Sequence, residues 1–428
     1  MSGPRISLGR AHAIASSMIA DAEYAGIGLD TIVAVGGLRR FAPVVDEVAL
    51  LGVAREADHA SVQTAFARLP MVRRSRPARR SSMTVETTHG PVTLHLSVPG
   101  QLGAALVWHT GSSAHVDHLR VRAGSMGLQF TAATVRGVTS PELACESEHA
   151  LYAMLGLPFI APELRNGSGE IEAAERGHLP ALVSERDIRG DLHTHSNWSD
   201  GRHAVADMVG AAVDLGYEYV AITDHSERAP ASRTLQARDV SKQRQEIDAL
   251  RHAMPHINIL HGVEVDIMSD GSLDFDDDLL EQFDIVLASL HDGRGDARAR
   301  LTERYLRAIR HPLVNVITHP TNRVPGRFDG YPLDLDRLFA AAAETGTAME
   351  VDGAPGHLDM DGTVARRAAA AGVTIVIDSD CHRVERLGIQ MEFGVGTARR
   401  GWIGREQVLN TGGADEIRAF VERKRAPR

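Results

Sequence analysis

The sequence predicts an α/β protein: a β/α barrel of about seven units, preceded by an α+β region. Two observations carry this. From about residue 188 onward, strand and helix signals alternate, the pattern of a parallel βα fold. Imidazole and carboxylate side chains also recur where the apolar strand patterns end, which is where a β/α barrel keeps its active site. The length of 428 residues allows two or three domains, and 43% hydrophobic residues suffice for full cores.

Taken in order, the chain opens with a helix over 8–25. TIVAVGGLRR, VDEVALLGVA, a helix near 60–69 and the pair SMTVETTHG-PVTLHLSVP follow, an α+β region with a small antiparallel sheet. Helical stretches come next at 101–109 and 115–127. Residues 155–187, rich in Gly, Pro and charge, read as an irregular connector packed against the barrel. The barrel strands fall at 188–195, 217–225, 257–267, 284–291, 314–320, 346–353 and 373–382. The helical stretches between them include AVADMVGAAVDLG, SKQRQEIDALRHAM and DLDRLFAAAAETG, and several end in Gly or a basic residue, the expected helix stop.

Charge and cysteine usage limit the function classes. The formal net charge is −10, whereas nucleic-acid proteins are more often basic, so such contact needs a local patch. RLPMVRRSRPARR (68–80) is one: six arginines and no acid, either a contact for a nucleic-acid backbone or a solvated loop. Lys242 and Lys424 are the only lysines, so the positive charge is nearly all Arg, which suits phosphate. Two cysteines, Cys145 and Cys381, are too few and too far apart for a disulfide framework or a thiolate zinc site, and fit a reducing compartment. The amino-terminal stretch reads as an amphipathic helix after a loop rather than a secretory signal, and no apolar run approaches a membrane span. The expectation is a soluble cytoplasmic protein without a membrane partner, its oligomeric state left open.

The chemistry sits in the strand ends. His193-x-His195 places two imidazoles on one side of a strand, because alternate residues share a face, and Asp380-x-His382 repeats the arrangement on the last strand. With Asp200, His225, Glu264, His291 and His319 they make nine side chains of the types that bind zinc, manganese or iron. Nine are too many for one ion, so two or three divalent ions are expected: Mn²⁺ or Zn²⁺, with Fe²⁺ also suited to these ligands. Adjacent ions roughly 3.5–4 Å apart suit phosphate-ester hydrolysis. Arg323 and Arg327, in THPTNRVPGR, are expected to overhang the cluster and hold phosphate. Asp224 is expected to orient a ligand or cap a helix, and Cys381 to be a buried small side chain facing away from the metals. Asp292, Asp352 and His357 are expected near the same rim, where loop-capping roles suffice for them, and His203, His252, His256, His261 and His311 in surface or packing roles.

HTHxxxSDG, ITDHS, GVEVDI, LASLH, ITHP and DSDCH resemble, in order, the motifs of the PHP (polymerase and histidinol phosphatase) family. The resemblance implies a distorted seven-stranded (β/α)7 barrel with up to three ions. One would be held by His193, His195, Glu264 and Asp380; a second by Glu264 with His291; a third by Asp200, His225, His319 and His382. It further implies attack on phosphorus by a metal-bound hydroxide held by Glu264, His291 and Asp380.

The region before the barrel is similar to the bacterial family X DNA polymerases: LGLPFIAPELRNGSGEIEAA to the linker, VWHTGSSAHVDHLR to the thumb, GGLRR to the triphosphate turn of the palm. The implied division is a degenerate palm at 1–99, a thumb-like region at 100–165, a linker at 166–187 and the barrel at 188–428. The palm departs from the polymerase pattern. Where D-x-D belongs stand Glu47 and Ala49 (or Asp46 and Val48), and the third carboxylate falls on Leu94. From where the chain starts, that family's lyase and finger regions are also expected to be missing.

The expected function is therefore a divalent-metal phosphoesterase acting on DNA 3′ ends, as a 3′–5′ exonuclease or 3′-phosphatase in repair, with polymerase activity lost. A small-molecule phosphatase of the histidinol-phosphatase type and a non-catalytic nucleic-acid-binding module are the alternatives.

Overall fold

The computed structural model describes residues 5–76, 79–131, 133–137 and 142–426. The chain divides into two compact units, Met1–Leu179 and Pro180–Arg428.

In the second unit, seven strands lie side by side in chain order: β1 (Gly190–Thr194), β2 (Tyr219–Ile222), β3 (Asn258–Asp266), β4 (Ile285–Ser289), β5 (Val316–Ile317), β6 (Ala348–Asp352) and β7 (Ile375–Asp378). Every pairing is parallel, as helical crossovers between successive strands require. The ring nearly closes. Thr194 bridges Cys381 in parallel, and His195 N donates to the Cys381 carbonyl at 2.9 Å. β3 is the hinge of the ring: residues 258–261 pair with β2 and 262–266 with β4. Gly262 stands at the change-over, where a Cβ would come within 2.6 Å of the Thr223 side chain and 2.9 Å of Ile285.

The strand alternation sorts the barrel into zones. Val286, Ala288, Met349, Val351, Ile375 and Ile377 belong to the large apolar cluster that includes Tyr305 and Phe339 of the surrounding helices. Ile285, Leu287, Ala348 and Val376 belong to another, shared with Ile417, Phe420 and Val421 of the carboxyl-terminal helix Ala414–Arg425. Continuing that second set by twos toward the carboxyl ends leads to Ser289, Glu350, Asp352 and Asp378. One face of the sheet thus changes from apolar to ionisable along the strand direction, and the ionisable end is where a β/α barrel carries its chemistry.

The first unit holds a five-stranded sheet in the order Thr31–Val35, Val48–Val53, Gly90–Ser97, Ser82–Thr87, Val72–Ser75. The expected antiparallel sheet is instead mixed, since Val48–Val53 and Gly90–Ser97 run parallel. Residue alternation reveals a strand but not the direction of its partner. A solvated loop is one of the two readings of the arginine run at 68–80. Its described part instead supplies the edge strand Val72–Ser75, while residues 77 and 78 lie outside the described residues.

The stretch expected as an irregular connector is ordered up to Leu179 within the first unit, with helix Glu170–Glu175 and the turn Pro162–Leu164. Its core is ionic, which is why apolar periodicity missed it. Arg165 is fully buried, donates to the Ile160 carbonyl at 2.9 Å and lies over the Tyr152 and Phe159 rings. Both Arg165 and Arg39 pair with Glu148. Beside them, buried His115 bridges Glu170 (2.7 Å) and the Tyr152 hydroxyl (2.9 Å). Such a network is stable only because each buried charge meets a partner.

Candidate metal centre

The carboxyl ends of the barrel strands bring all nine of the predicted ligand residues into one cluster. Glu264, near the end of β3, is its centre. Its Oε2 lies 3.4 Å from His193 Nε2, 3.5 Å from His195 Nε2 and 2.7 Å from His225 Nδ1. Its Oε1 lies 3.5 Å from His291 Nε2 and 3.0 Å from His319 Nε2. Asp380 Oδ1 is 3.1 Å from His195 Nε2 and 3.7 Å from His193 Nε2. Asp200 Oδ1 is 3.1 Å from His382 Nε2 and 3.7 Å from His225 Nε2.

The spacings of 3.4 and 3.5 Å around Glu264 are long for hydrogen bonds and fit cation coordination. Metal–ligand bonds of roughly 2.0–2.2 Å put neighbouring ligand atoms about 3–3.5 Å apart. Several of the facing atoms also lack a hydrogen-bond partner although they are buried: His193 Nε2, His195 Nε2, Asp200 Oδ1, His225 Nδ1 and Glu264 Oε2. Orphaned polar atoms are costly in a protein interior, so converging on a common point is their physical explanation. Three groups have ligand atoms within 4.8 Å of one another: His195 with Asp200, His225 and His382; His193 with His195 and Asp380; His225 with Glu264 and His291. His225 and His195 each belong to two groups, as ligands shared between adjacent ions would. The residues present therefore fit more than one divalent ion.

Local structure sets each ligand. His319 and Asp380 take left-handed backbone conformations, φ 25° and 49°, strain of the kind functional sites retain. Gly201 lets the loop after β1 fold back, for a Cβ there would meet the His195 carbonyl oxygen at 2.5 Å. Arg233 donates from Nε to the Ser199 carbonyl at 2.6 Å and from Nη2 to that of Gly201 at 3.5 Å, bracketing Asp200. Of the two roles expected for Asp224, the hydrogen bonds fit orienting a ligand: its carboxylate accepts from Ser196 and Ser199 (backbone and hydroxyl of each) and from Gln243 Nε2, pinning the loop that carries Asp200.

Sequence reasoning missed the partners behind the imidazoles. His193 Nδ1 donates to Glu350 at 2.7 Å, and His291 Nδ1 to Asp266 at 2.9 Å, leaving each Nε2 for the cluster. Glu350 also accepts from the His319 backbone N at 2.7 Å. The available signal was an acid inside an apolar strand, as in AMEVD, and a second acid two places after Glu264 on the same strand face. Burial would push Glu264 up; its surrounding imidazoles, His225 and His193 first, hold it well below the usual carboxylate range.

A cavity of about 220 Å³ opens on the cluster, lined by Asp200, His225, Pro230, Ala231, His291, His319, His357, Asp380 and His382. His193, His195 and Glu264 lie beneath it with no exposed side chain, while Asp200 and His382 keep 21% and 31%, so the cluster is open to solvent on their side. Two other expectations are corrected. Arg323 and Arg327 do not line this cavity: Arg323 Nη1 is held at 2.7 Å by Asp361, and Arg327 is exposed. The Asp361 carboxylate competes for the guanidinium, which the motif spacing could not show. His357 is no loop cap; its ring is in the cavity wall, stacked on His319 with centroids 5.1 Å apart. Cys381 is buried among Val205, Val209 and Ile222, as a packing side chain. Larger hollows of about 760 and 850 Å³ lie at the opposite, amino-terminal ends of the strands, the end of such barrels concerned with stability.

Comparison with known proteins places this geometry in a family. The PHP domain family matches residues 191–352, and the DNA polymerase beta thumb matches residues 105–166. The chain is 38% identical over 333 residues to the DNA polymerase/3′-5′ exonuclease PolX of Bacillus subtilis; the match takes in 78% of this chain and 58% of that protein. It is 29% identical over 246 residues to a probable phosphatase of Thermoanaerobacter sp., covering 55% of this chain and 95% of the relative. It is 31% identical over 208 residues to a probable phosphatase of Shewanella sp., covering 46% of this chain and 78% of the relative. With its ligand cluster at the mouth of a seven-stranded barrel and a polymerase beta-type thumb region in front, the chain belongs to the PHP domain family of phosphoesterases.

Proposed function

We propose that this protein hydrolyses phosphate esters at DNA 3′ ends, as a 3′–5′ exonuclease or 3′-phosphatase in cytoplasmic DNA repair, with two or three Mn²⁺, Zn²⁺ or Fe²⁺ ions. The single observation behind it is the gathering of eight of the nine predicted ligands into three converging groups, with His319 beside them at 3.0 Å from Glu264. When bound, adjacent divalent ions lower the pKa of water and neutralise charge on phosphoryl oxygens. The chain's own part is to fix the ligand atoms, through Glu350 behind His193 and Asp266 behind His291, and to limit access. A cavity of about 220 Å³ favours a strand terminus over an internal phosphodiester. The thumb match and the PolX relative favour DNA, and the division into palm, thumb, linker and barrel is part of this reading.

Loss of polymerase activity belongs to the same proposal. Ala49 pairs with Thr93, and the Thr93 hydroxyl donates to Glu47. Thr93, rather than Leu94, is the later-strand position on the Glu47 side, and neither is a carboxylate. One acid falls short of the set that holds two ions for nucleotidyl transfer.

A small-molecule phosphatase is the second reading, favoured by the phosphatase relatives whose length this chain covers more fully. Elemental analysis of purified protein, followed by a panel of 3′-labelled oligonucleotide, 3′-phosphorylated oligonucleotide and phosphomonoesters, tests both. Nucleotide or phosphate release from the 3′ end is expected; turnover confined to phosphomonoesters selects the second reading, and metal-free protein with no turnover on reloading removes both.

A further inference from the structure

We propose that His357 is a substrate-contacting residue whose imidazole donates a hydrogen bond to a phosphoryl oxygen in the cavity; the inference rests on the phosphoesterase reading above. Hydrogen-bond donors add strong, directional contacts to those that cations make with phosphoryl oxygens. No Lys or Arg is among the residues lining this cavity. Pro230 and Ala231 are its apolar rim, and every other lining residue except His357 belongs to the ligand set. His357 is therefore the polar side chain left over to meet the substrate.

Its setting supports that role. The ring stacks on His319 at 22° between planes, and its Nδ1 is buried without a hydrogen-bond partner. A purely packing role would be better filled by an apolar ring, because an unpaired buried nitrogen is costly. The loop after β6 is also pinned so that the ring is pre-oriented. The Asp352 carboxylate accepts from Ala354 N, His357 N and Leu358 N both donate to the Ala354 carbonyl at 2.9 Å, and the Asp359 carboxylate accepts from Thr321 N at 2.8 Å and its hydroxyl at 2.9 Å. Positioning of this kind is what a donor must have to act without reorganising.

The test is calorimetric binding of inorganic phosphate to Mn²⁺-loaded protein, with metal content measured on each sample. His357→Phe keeps a stacking ring and removes the donor; His357→Gln keeps a donor. Loss of a hydrogen bond to a charged group weakens binding roughly 10- to 100-fold. The expected result is a rise of that size in the phosphate Kd for His357→Phe, partial recovery in His357→Gln, and unchanged metal content in both. A His357→Phe protein that binds phosphate as the parent does overturns the inference, and so does one that loses metal. Since phosphate binding is read without turnover, an inactive parent protein would count against the proposed function and leave the His357 result decisive.

Discussion

Each imidazole of the centre is defined as much by the group behind it as by the neighbours in front. His193 donates to Glu350, so Glu350→Gln exchanges a charged acceptor for a neutral one and loosens the ring that Nδ1 anchors. Metal affinity is expected to fall about 10- to 100-fold with the fold intact, read by competition with a chromogenic chelator and by circular dichroism. The double substitution His193→Ala/His195→Ala removes two members of the deep ligand group and is expected to abolish hydrolysis and lower metal stoichiometry; full retained activity would refute the metal centre. A separate residue-scale effect lies in the first unit. His109 is pushed down to about 3 by burial and by neighbouring His95, on which it stacks at 3.9 Å; His95 and His115 are lowered too, by burial first. Folded-state values below the unfolded 6.5 mean that the unfolded chain binds more protons. Stability is therefore full above about pH 6.5 and falls as pH drops through 6.5 toward the folded values. His109→Phe is expected to flatten the acid limb of melting temperature against pH between about 6.5 and 4.

At the scale of elements, the barrel strands share a rule. In Asn258–Asp266, Ala348–Asp352 and Ile375–Asp378 one face is apolar or small at its start and acidic at its end, so a single alternation builds both floor and site. Phe420, in the helix that packs with the floor cluster, is 6% exposed, and Phe420→Ala is expected to cost about 3–5 kcal/mol in urea unfolding. The edge strand Val72–Ser75 raises a different question. Arg73 and Arg74 are exposed, while Arg76 and Arg80 pair with Glu86 and Glu56. Charge on an edge strand guards against sheet-to-sheet pairing, and the same two arginines carry the positive charge that contact with a nucleic-acid backbone would need. Arg73→Ser/Arg74→Ser is expected to weaken binding of a labelled oligonucleotide and to reduce its log–log salt slope by about 1–2. An unchanged slope would leave the edge-protection role alone.

For the molecule as a whole, charge is partitioned between the units. Residues 1–179 hold sixteen Lys/Arg and sixteen Asp/Glu, so the chain's −10 resides in the barrel unit, where a cluster of divalent ions would offset part of it. Ion binding to the folded state alone stabilises by about 2.7 kcal/mol at a hundredfold excess over Kd. Chelator treatment is thus expected to lower the melting temperature and abolish hydrolysis, with both restored on reloading; identical behaviour with and without metal would count against the centre. No helix among the described residues is long and apolar enough to cross a membrane. The seven barrel strands and the nine clustered side chains were legible in the sequence because strand alternation and strand-end ligands are local patterns, repeated where each strand stops. Pairing direction in the first sheet, the ionic core around Arg165, Glu350 behind His193, the capture of Arg323 by Asp361 and the entry of His357 into the cavity wall were decided only in the tertiary structure. Each depends on which distant segment arrives beside it, and neither residue type nor local period encodes that neighbour.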